Sequence, residues 1–373
     1  MYGISGVAVM SMSDERFMRR ALQLARRGAG WVSPNPMVGA VIVKDGTIIG
    51  EGYHRKFGAP HAEINAIAHA SAPLAGATMY VTLEPCSHYG KTPPCVDKII
   101  ETRAARVVVG VQDPNPLVAG RGIQLLEEHG IETTVGVLEE ECRQLNEIFF
   151  KYMTAGIPFV TVKYAQTLDG RIATATGHSK WISSEPSLRF AHRLRSLHDS
   201  ILVGAGTVLR DDPELTVRHV RGRNPVRIVV DSTLRIPDNA RILDTQRNAT
   251  TIVATTVRSS VERRDILEQR GIEVLITDET KQGRVDLESL LPQLAAKNIS
   301  SILVEGGADV ITSFVHRKLP DRMVIITAPK IAGKGIEGIG DLGINKIDNS
   351  IQLVFKKISR RGDDVIFDAR IRK

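Results

Sequence analysis

His61, Cys86 and Cys95 place one imidazole and two thiols in a single stretch, with Glu63 two positions after the imidazole. Two thiolates and one imidazole give zinc three protein ligands and leave the fourth corner of the tetrahedron for water, as catalytic sites do; structural sites close it. Such a water is available as hydroxide near neutral pH. Glu63 suits the transfer of its proton to a departing amine. The expected chemistry is metal-assisted hydrolysis, in which the metal supplies the nucleophile and Glu63 moves protons. A lone cysteine is commonly just a small buried hydrophobe, and a structural zinc knot uses the same residue types. The Glu63 spacing and Pro85 before Cys86 favour the catalytic reading.

Local structure has to bring these side chains together. The run 61–70 is rich in helix formers and follows Gly58 and Pro60, so His61 opens a helix. Residues 77–83 are β-prone and end just before Glu84-Pro85-Cys86, and Cys95 precedes a second helical run, Val96 to Ile100. A helix start favours the thiolate that zinc requires.

The surrounding first half alternates strand and helix. Ser13 caps a helix through Phe17, Met18, Ala21, Leu22 and Ala25; Val38 to Val43 and Thr47 to Gly52 flank the turn Lys44-Asp45-Gly46. Strands follow at 106–111 and 131–137, with helices at 124–129 and 139–152. This pattern predicts a three-layer α/β domain over residues 1–155. Ala155-Gly156-Ile157-Pro158 marks the boundary, and strands at 159–165, 227–230, 251–254, 273–276 and 302–304 predict a second α/β domain over 156–373.

Composition narrows the partners. Net charge is +7, yet residues 1–155 hold 15 Lys and Arg against 16 Asp and Glu, leaving 34 against 26 for the remainder. A metal-dependent hydrolase gripping a nucleic-acid strand needs positive charge around its metal, and here the excess lies in the other half. That distribution suits a phosphate-bearing small ligand downstream. The first twelve residues lack a basic leader, no apolar stretch is long enough to span a bilayer, and three cysteines point to a reducing, cytoplasmic setting.

His-x-Glu with Pro-Cys-x-x-Cys is the zinc deaminase signature. Here Ser87 to Pro94 separates the cysteines, a longer spacer than that signature carries. The segment Leu83-Glu84-Pro85-Cys86-Ser87-His88 through Thr92-Pro93-Pro94-Cys95 resembles the bifunctional riboflavin-biosynthesis deaminase/reductases, and the likeness extends over nearly the whole chain. It implies a cytidine-deaminase-like α/β/α domain followed by a dihydrofolate-reductase-like α/β domain, with deaminase substrate contacts at Asn35, His54, Lys91, Asp113 and Asn115. Asn35 and Asn115 also lie in Asn-Pro turns, where asparagine is common for conformational reasons. His88 is expected to be a loop or pocket residue and not a fourth ligand.

In the second half, Gly204-Ala205-Gly206 lacks the third glycine of the Rossmann fingerprint, since Leu209 stands there, so a Rossmann domain is disfavoured. The strand through Ser301 to Glu305 runs into Gly306-Gly307-Ala308-Asp309, either a plain strand-to-helix turn or a pyrophosphate cradle. The family resemblance implies NADPH contacts at Ala165, Trp181, Thr207, Asp211, Ser232 and Gly307, Ala308, Asp309, Val310, Ile311, Thr312 and Ser313, and substrate contacts at Ser179, Arg195, Leu215, Arg218 and Glu305. Arginine suits a ribose 5-phosphate because guanidinium binds phosphate in bidentate fashion. The glycine-dense segment 333–343 is expected to be a mobile loop. The resemblance thus implies zinc-dependent deamination of a diaminopyrimidinone ribosylamine 5-phosphate, then NADPH-dependent reduction of its ribose to ribityl, by a homo-oligomer with no nucleic-acid or membrane partner. A nucleic-acid deaminase with an accessory domain and a nonenzymatic zinc-folded module remain as alternatives.

Overall fold

In the computed structural model, which describes residues 12–88, 93–115 and 118–372, the apolar run 40–43 becomes strand β1 (Gly39–Lys44) with both faces covered. It pairs antiparallel with β2 (Thr47–Tyr53) and β3 (Thr78–Val81), and β4 (Arg106–Val109) and β5 (Glu132–Val135) follow in parallel, giving the order β2-β1-β3-β4-β5. Alternate residues feed opposite layers, as the two-residue period of a strand requires. Val41, Tyr80 and Val108 pack with Phe17, Leu22, Phe149 and Phe150, whereas Ala40, Met79 and Val107 pack with Ala62, Val96 and Leu126. The expected α/β/α layering follows from strands that are apolar on both sides.

The contacts divide the chain into units Met1–Gly156 and Ile157–Lys373. In the second, β6 (Phe159–Thr167), β7 (Arg171–Thr174), β8 (Ser200–Gly204), β9 (Val226–Val230), β10 (Thr251–Thr255), β11 (Glu273–Ile276), β12 (Ser301–Val304), β13 (Arg322–Ala328), β14 (Gly335–Glu337), β15 (Leu353–Arg361) and β16 (Asp364–Ile371) follow in chain order. Nine of them form one sheet, β11-β10-β9-β8-β12-β6-β13-β16-β15, parallel from β11 to β13 and antiparallel beyond. The chain leaves β6, builds outward from β8 to β11, and returns to insert β12 between β8 and β6. That reversal is a topological switch point, and the crevice at the carboxyl ends of its strands is where ligands bind in open α/β sheets.

Two departures from the sequence reading have local causes. The helix expected over 139–152 is broken into Glu139–Leu145 and Glu147–Ala155. At the break, Asn146 accepts from the Met37 N–H at 2.8 Å and donates to the Met37 carbonyl at 2.9 Å, pinning the loop that carries Asn35. The segment 333–343, expected to be a mobile loop, contributes β14, which pairs with β7. Arg171 ties the pair together through Gly333 O and Glu337.

Close approach positions the metal-site helix. A Cβ on Gly52 would lie 2.3 Å from both Ala62 O and Ala66 N, so β2 can lie against helix Ala62–Ala68 only with glycine there. Gly52→Ala forces that helix off the sheet and should cost about 1–3 kcal/mol. The expected outcome is a lower urea midpoint together with reduced zinc retention at His61; unchanged values in both measurements would show that the helix has room to give.

Candidate functional site

His61 is the N-cap of helix Ala62–Ala68, Cys86 lies beyond β3, and Cys95 is the first residue of helix Cys95–Glu101. Their ligand atoms all lie within 4.8 Å of one another, and among the described residues no fourth side chain joins the group. His61 Nδ1 is 3.6 Å from Cys86 Sγ and 3.3 Å from Cys95 Sγ. The Cys95 N–H donates to Cys86 Sγ at 3.3 Å, and the Val96 N–H to the Cys86 carbonyl, also at 3.3 Å. The Cys95 thiol as donor, and after it His61, hold Cys86 well below the ordinary thiol range, while the same pairing and burial push Cys95 up. The three donor atoms enclose a space that one tetrahedral ion would span. This donor set fits zinc.

Glu63 is 3% exposed and its Oε2 has no hydrogen-bond partner among the described residues. Burial, with Cys86 nearby, pushes its carboxyl up to about 7. A buried carboxyl with one free oxygen beside a metal-ligand trio is suited to carrying a proton.

Asn35, His54, Asp113 and Asn115 line one cavity of about 310 Å³ together with His61, Glu63 and Cys86; His88 lies on its exposed rim. His54 lies 3.2 Å from the Pro60 carbonyl through Nδ1 and 3.3 Å from the Asn35 amide through Nε2. Burial lowers its pKa, and because the Pro60 carbonyl can only accept, Nδ1–H donates to it, which leaves Nε2 facing the Asn35 amide. Burial raises Asp113 to about 6. Lys91 lies outside the described residues. Glu84, quoted in the sequence motif without a role, proves to be the anchor of the far wall. It accepts the backbone N–H groups of Asp113, Gly120 and Gly122 at 3.2, 3.0 and 3.0 Å.

The second unit holds a cavity of about 790 Å³ at the switch point. Ala165, Ser179, Thr207, Asp211, Ser232, Glu305, Gly307, Ala308, Asp309, Val310 and Ser313 line it. Added Cβ atoms on Gly204 and Gly306 would lie 2.6 and 2.8 Å from Val310, so this close junction of the β8 and β12 turns requires both glycines. Gly307 N–H donates to Thr207 Oγ1 at 3.1 Å.

Other expected contacts lie away from the cavity wall. Ile311 and Leu215 are core residues, Thr312 accepts the Gly340 N–H, and Arg218 pairs with Glu214. Trp181 is 69% exposed, and its carbonyl accepts from Lys330. Arg195 is committed to Glu305, donating through Nε and Nη2 at 2.9 Å each. Lys163, absent from the sequence reading, lines the cavity and meets Glu305 Oε2 at 2.9 Å. Burial opposes ionisation of Glu305, but Arg195 and then Lys163 outweigh it and hold the carboxyl well below its usual range. A single lysine inside an apolar strand was the available signal.

Residues 158–367 match the family model described as the RibD C-terminal domain, and residues 11–111 match the cytidine and deoxycytidylate deaminase zinc-binding region. The riboflavin biosynthesis protein RibD of Aquifex aeolicus is 48% identical over 354 residues, spanning 95% of this chain and 97% of that protein. The Escherichia coli (strain K12) protein of the same name is 42% identical over 368 residues, spanning 95% and 98%. Among solved structures, a diaminohydroxyphosphoribosylaminopyrimidine deaminase/5-amino-6-(5-phosphoribosylamino)uracil reductase from Thermotoga maritima aligns with a TM-score of 0.85 at 41% identity, covering 96% of this chain and 99% of that one. Acinetobacter baumannii RibD aligns with a TM-score of 0.88 at 34% identity, covering 97% and 99%.

Glu84→Gln places an amide nitrogen where a carboxylate oxygen accepts, leaving at least one buried N–H without its partner. A loss of about 1–3 kcal/mol is expected in urea unfolding of the first unit, with zinc content preserved. For Glu305 the folded carboxyl titrates below its ordinary value of 4.5, so its stabilisation is complete above that pH and lost as pH falls through and below it. Glu305→Gln is expected to lower the midpoint at pH 7 and to flatten the acid limb, read by urea unfolding from pH 7 down to pH 3.

Proposed function

The chain belongs to the RibD family, and on that premise we propose that residues 1–155 carry out the deamination and residues 156–373 the reduction. It is a bifunctional enzyme of riboflavin biosynthesis, a zinc-dependent deaminase and an NADPH-dependent reductase acting on small pyrimidine substrates. The sequence likeness spans both halves of relatives that share one name, which disfavours a nucleic-acid deaminase with an unrelated accessory domain. The reaction assigned to the first unit is hydrolytic removal of the 2-amino group of 2,5-diamino-6-(5-phosphoribosylamino)pyrimidin-4(3H)-one. The second unit then reduces the ribosyl side chain to ribityl.

The observation that carries the deaminase assignment is Glu63 Oε2, buried and unpartnered beside the His61, Cys86 and Cys95 donors. When bound, zinc supplies a Lewis acid that activates water. His61, Cys86 and Cys95 would hold the ion. Glu63 accepts a proton at Oε2 and returns it to the leaving amine. Asn35, His54, Asp113 and Asn115 form the polar wall that orients the pyrimidine, and Lys91 is assigned to its phosphate. In the second unit, Thr207, Asp211, Ser232 and the turn 307–313 are assigned to NADPH, with Ala165 on the same wall. Trp181 is kept among the NADPH contacts as an exposed ring that can lie against the coenzyme. Ser179, Lys163 and Glu305 are assigned to the substrate; Arg195 positions Glu305, and Leu215 and Arg218 shape the adjoining loop. Hydride chemistry belongs to the nicotinamide, so these side chains contribute orientation and fixed charge.

The free state of Cys86, Cys95 and Cys142 supports a reducing, cytoplasmic setting, and no helix of the described residues is long and apolar enough to cross a membrane. The edge strand β15, which exposes Val354, Phe355 and Ile358, supports assembly as a dimer or tetramer.

Glu63→Gln tests the assignment. The variant is expected to keep its zinc, lose deamination by a factor of about 10²–10⁴, and still oxidise NADPH when given the deaminated intermediate. Ammonia release at the wild-type rate would remove Glu63 from the mechanism.

A further inference from the structure

The reductase cavity is charged unevenly. Its end near β6 and β12 carries Lys163 and Glu305, where two cations, Lys163 and Arg195, are both committed to the one Glu305 carboxylate. The end beyond β9 carries Ser232, Thr233, Arg235 and Arg284. Among the described residues the guanidinium of Arg284 pairs with no carboxylate, and Arg235 meets Asp231 alone, 3.7 Å away, with 65% of its own side chain exposed. These two arginines come from loops far apart in sequence. Ser232 Oγ joins the loops by accepting the Val285 N–H at 3.0 Å, which places Arg284 beside the turn that carries Arg235.

The sheet order gives this basic end a ligand. If NADPH lays its pyrophosphate on the glycine turns after β8 and β12, and its nicotinamide beside the substrate groups Ser179, Lys163 and Glu305, its adenosine must extend the other way. That direction crosses β8 to β9, two strand spacings of about 4.8 Å each from β12. The adenosine ribose of NADPH carries a 2′-phosphate, largely a dianion at neutral pH as phosphate monoesters are. An NAD-selective site would instead offer a carboxylate at the strand end to the 2′-hydroxyl. Here the acid at that position, Asp231, is 1% exposed and folded back to accept the Ile236 N–H at 2.9 Å, so it is withdrawn from the ligand.

We propose that Arg284, with Arg235 across the Ser232–Val285 link, grips the 2′-phosphate and makes the reductase selective for NADPH over NADH. This rests on the assignment of reduction to the second unit. Arg284 is the distinctive member, because it arrives from the loop after β11 and acts on a coenzyme otherwise held by the ends of β8, β9 and β12.

The test uses the full-length protein and fragments of the coenzyme. Isothermal titration calorimetry would compare 2′,5′-ADP with 5′-AMP, which differ by the 2′-phosphate, on wild type, Arg284→Met, Arg235→Met and the double variant. Wild type is expected to prefer 2′,5′-ADP, and Arg284→Met to lose about tenfold or more of that preference. Affinity for 5′-AMP should stay at the wild-type value, which also reports that the site is folded. The NADPH-to-NADH ratio of dissociation constants should fall in parallel. A wild-type preference retained in Arg284→Met and in the double variant overturns the proposal while leaving the reductase assignment standing. If wild type binds neither fragment nor NADPH, both fall.

Discussion

His61 Nδ1 facing the sulfurs of Cys86 and Cys95 at 3.6 and 3.3 Å is the contact on which the first unit depends. Two thiolates and the Glu63 carboxylate cannot occupy one buried space without positive charge between them, because like charges at this range in a poorly solvated site repel strongly. The surrounding backbone is arranged to hold that space at constant size. The Val96 N–H meets the Cys86 carbonyl, Gly52 lets helix Ala62–Ala68 lie against the sheet, and Asn65 donates to the Tyr53 and Pro60 carbonyls on the way into that helix. Each is a distance constraint on the donors before any ligand arrives.

The second unit meets an equivalent demand by different means. A carboxylate as buried as Glu305 survives in ionised form only because Arg195 and Lys163 complete its hydrogen bonds. The resulting network fixes the end of β12 relative to β6 and to helix Glu185–Leu197, and the Gly204, Gly306 and Val310 junction fixes it relative to β8. The mouth of the switch-point crevice is thus held by charge on one side and by close packing on the other.

What the sequence made legible was local. His-x-Glu at a helix start, a strand end before Cys86 and a helix start at Cys95 are short-range patterns, and each appears where the pattern put it. Signals that depend on a distant partner were not legible. Asn146 breaks a helix because Met37 is waiting for its amide, and Lys163 belongs to a site only because Glu305 comes to rest beside it. Strands β15 and β16 were missed for a different reason: β15 is largely exposed along its length, so it lacks the alternation of a half-buried strand. At Ile311, which lies among cavity residues in sequence, the helix period turns the side chain into the core, and Leu215 is likewise buried.

Charge also explains why the two halves differ in composition. Both sites are assigned an anionic, phosphate-bearing ligand, but the first unit carries no excess of Lys and Arg over Asp and Glu. Its cavity avoids a strongly repulsive wall through desolvation: burial raises Asp113 to about 6, so part of its negative charge is removed near neutral pH. The second cavity is larger and more open to charge, with Asp211, Asp309 and Glu305 on its wall. Glu305 is neutralised by its own cations, and Arg210, Arg235 and Arg284 offset the other two acids. A ligand bearing several phosphates would meet those arginines, whereas a ligand bearing one can be accommodated where the acids themselves are partly protonated. The basic excess of the second half is in keeping with a cleft that receives a ligand of higher anionic charge, and with Glu305 remaining ionised to hold Arg195 and Lys163 in place.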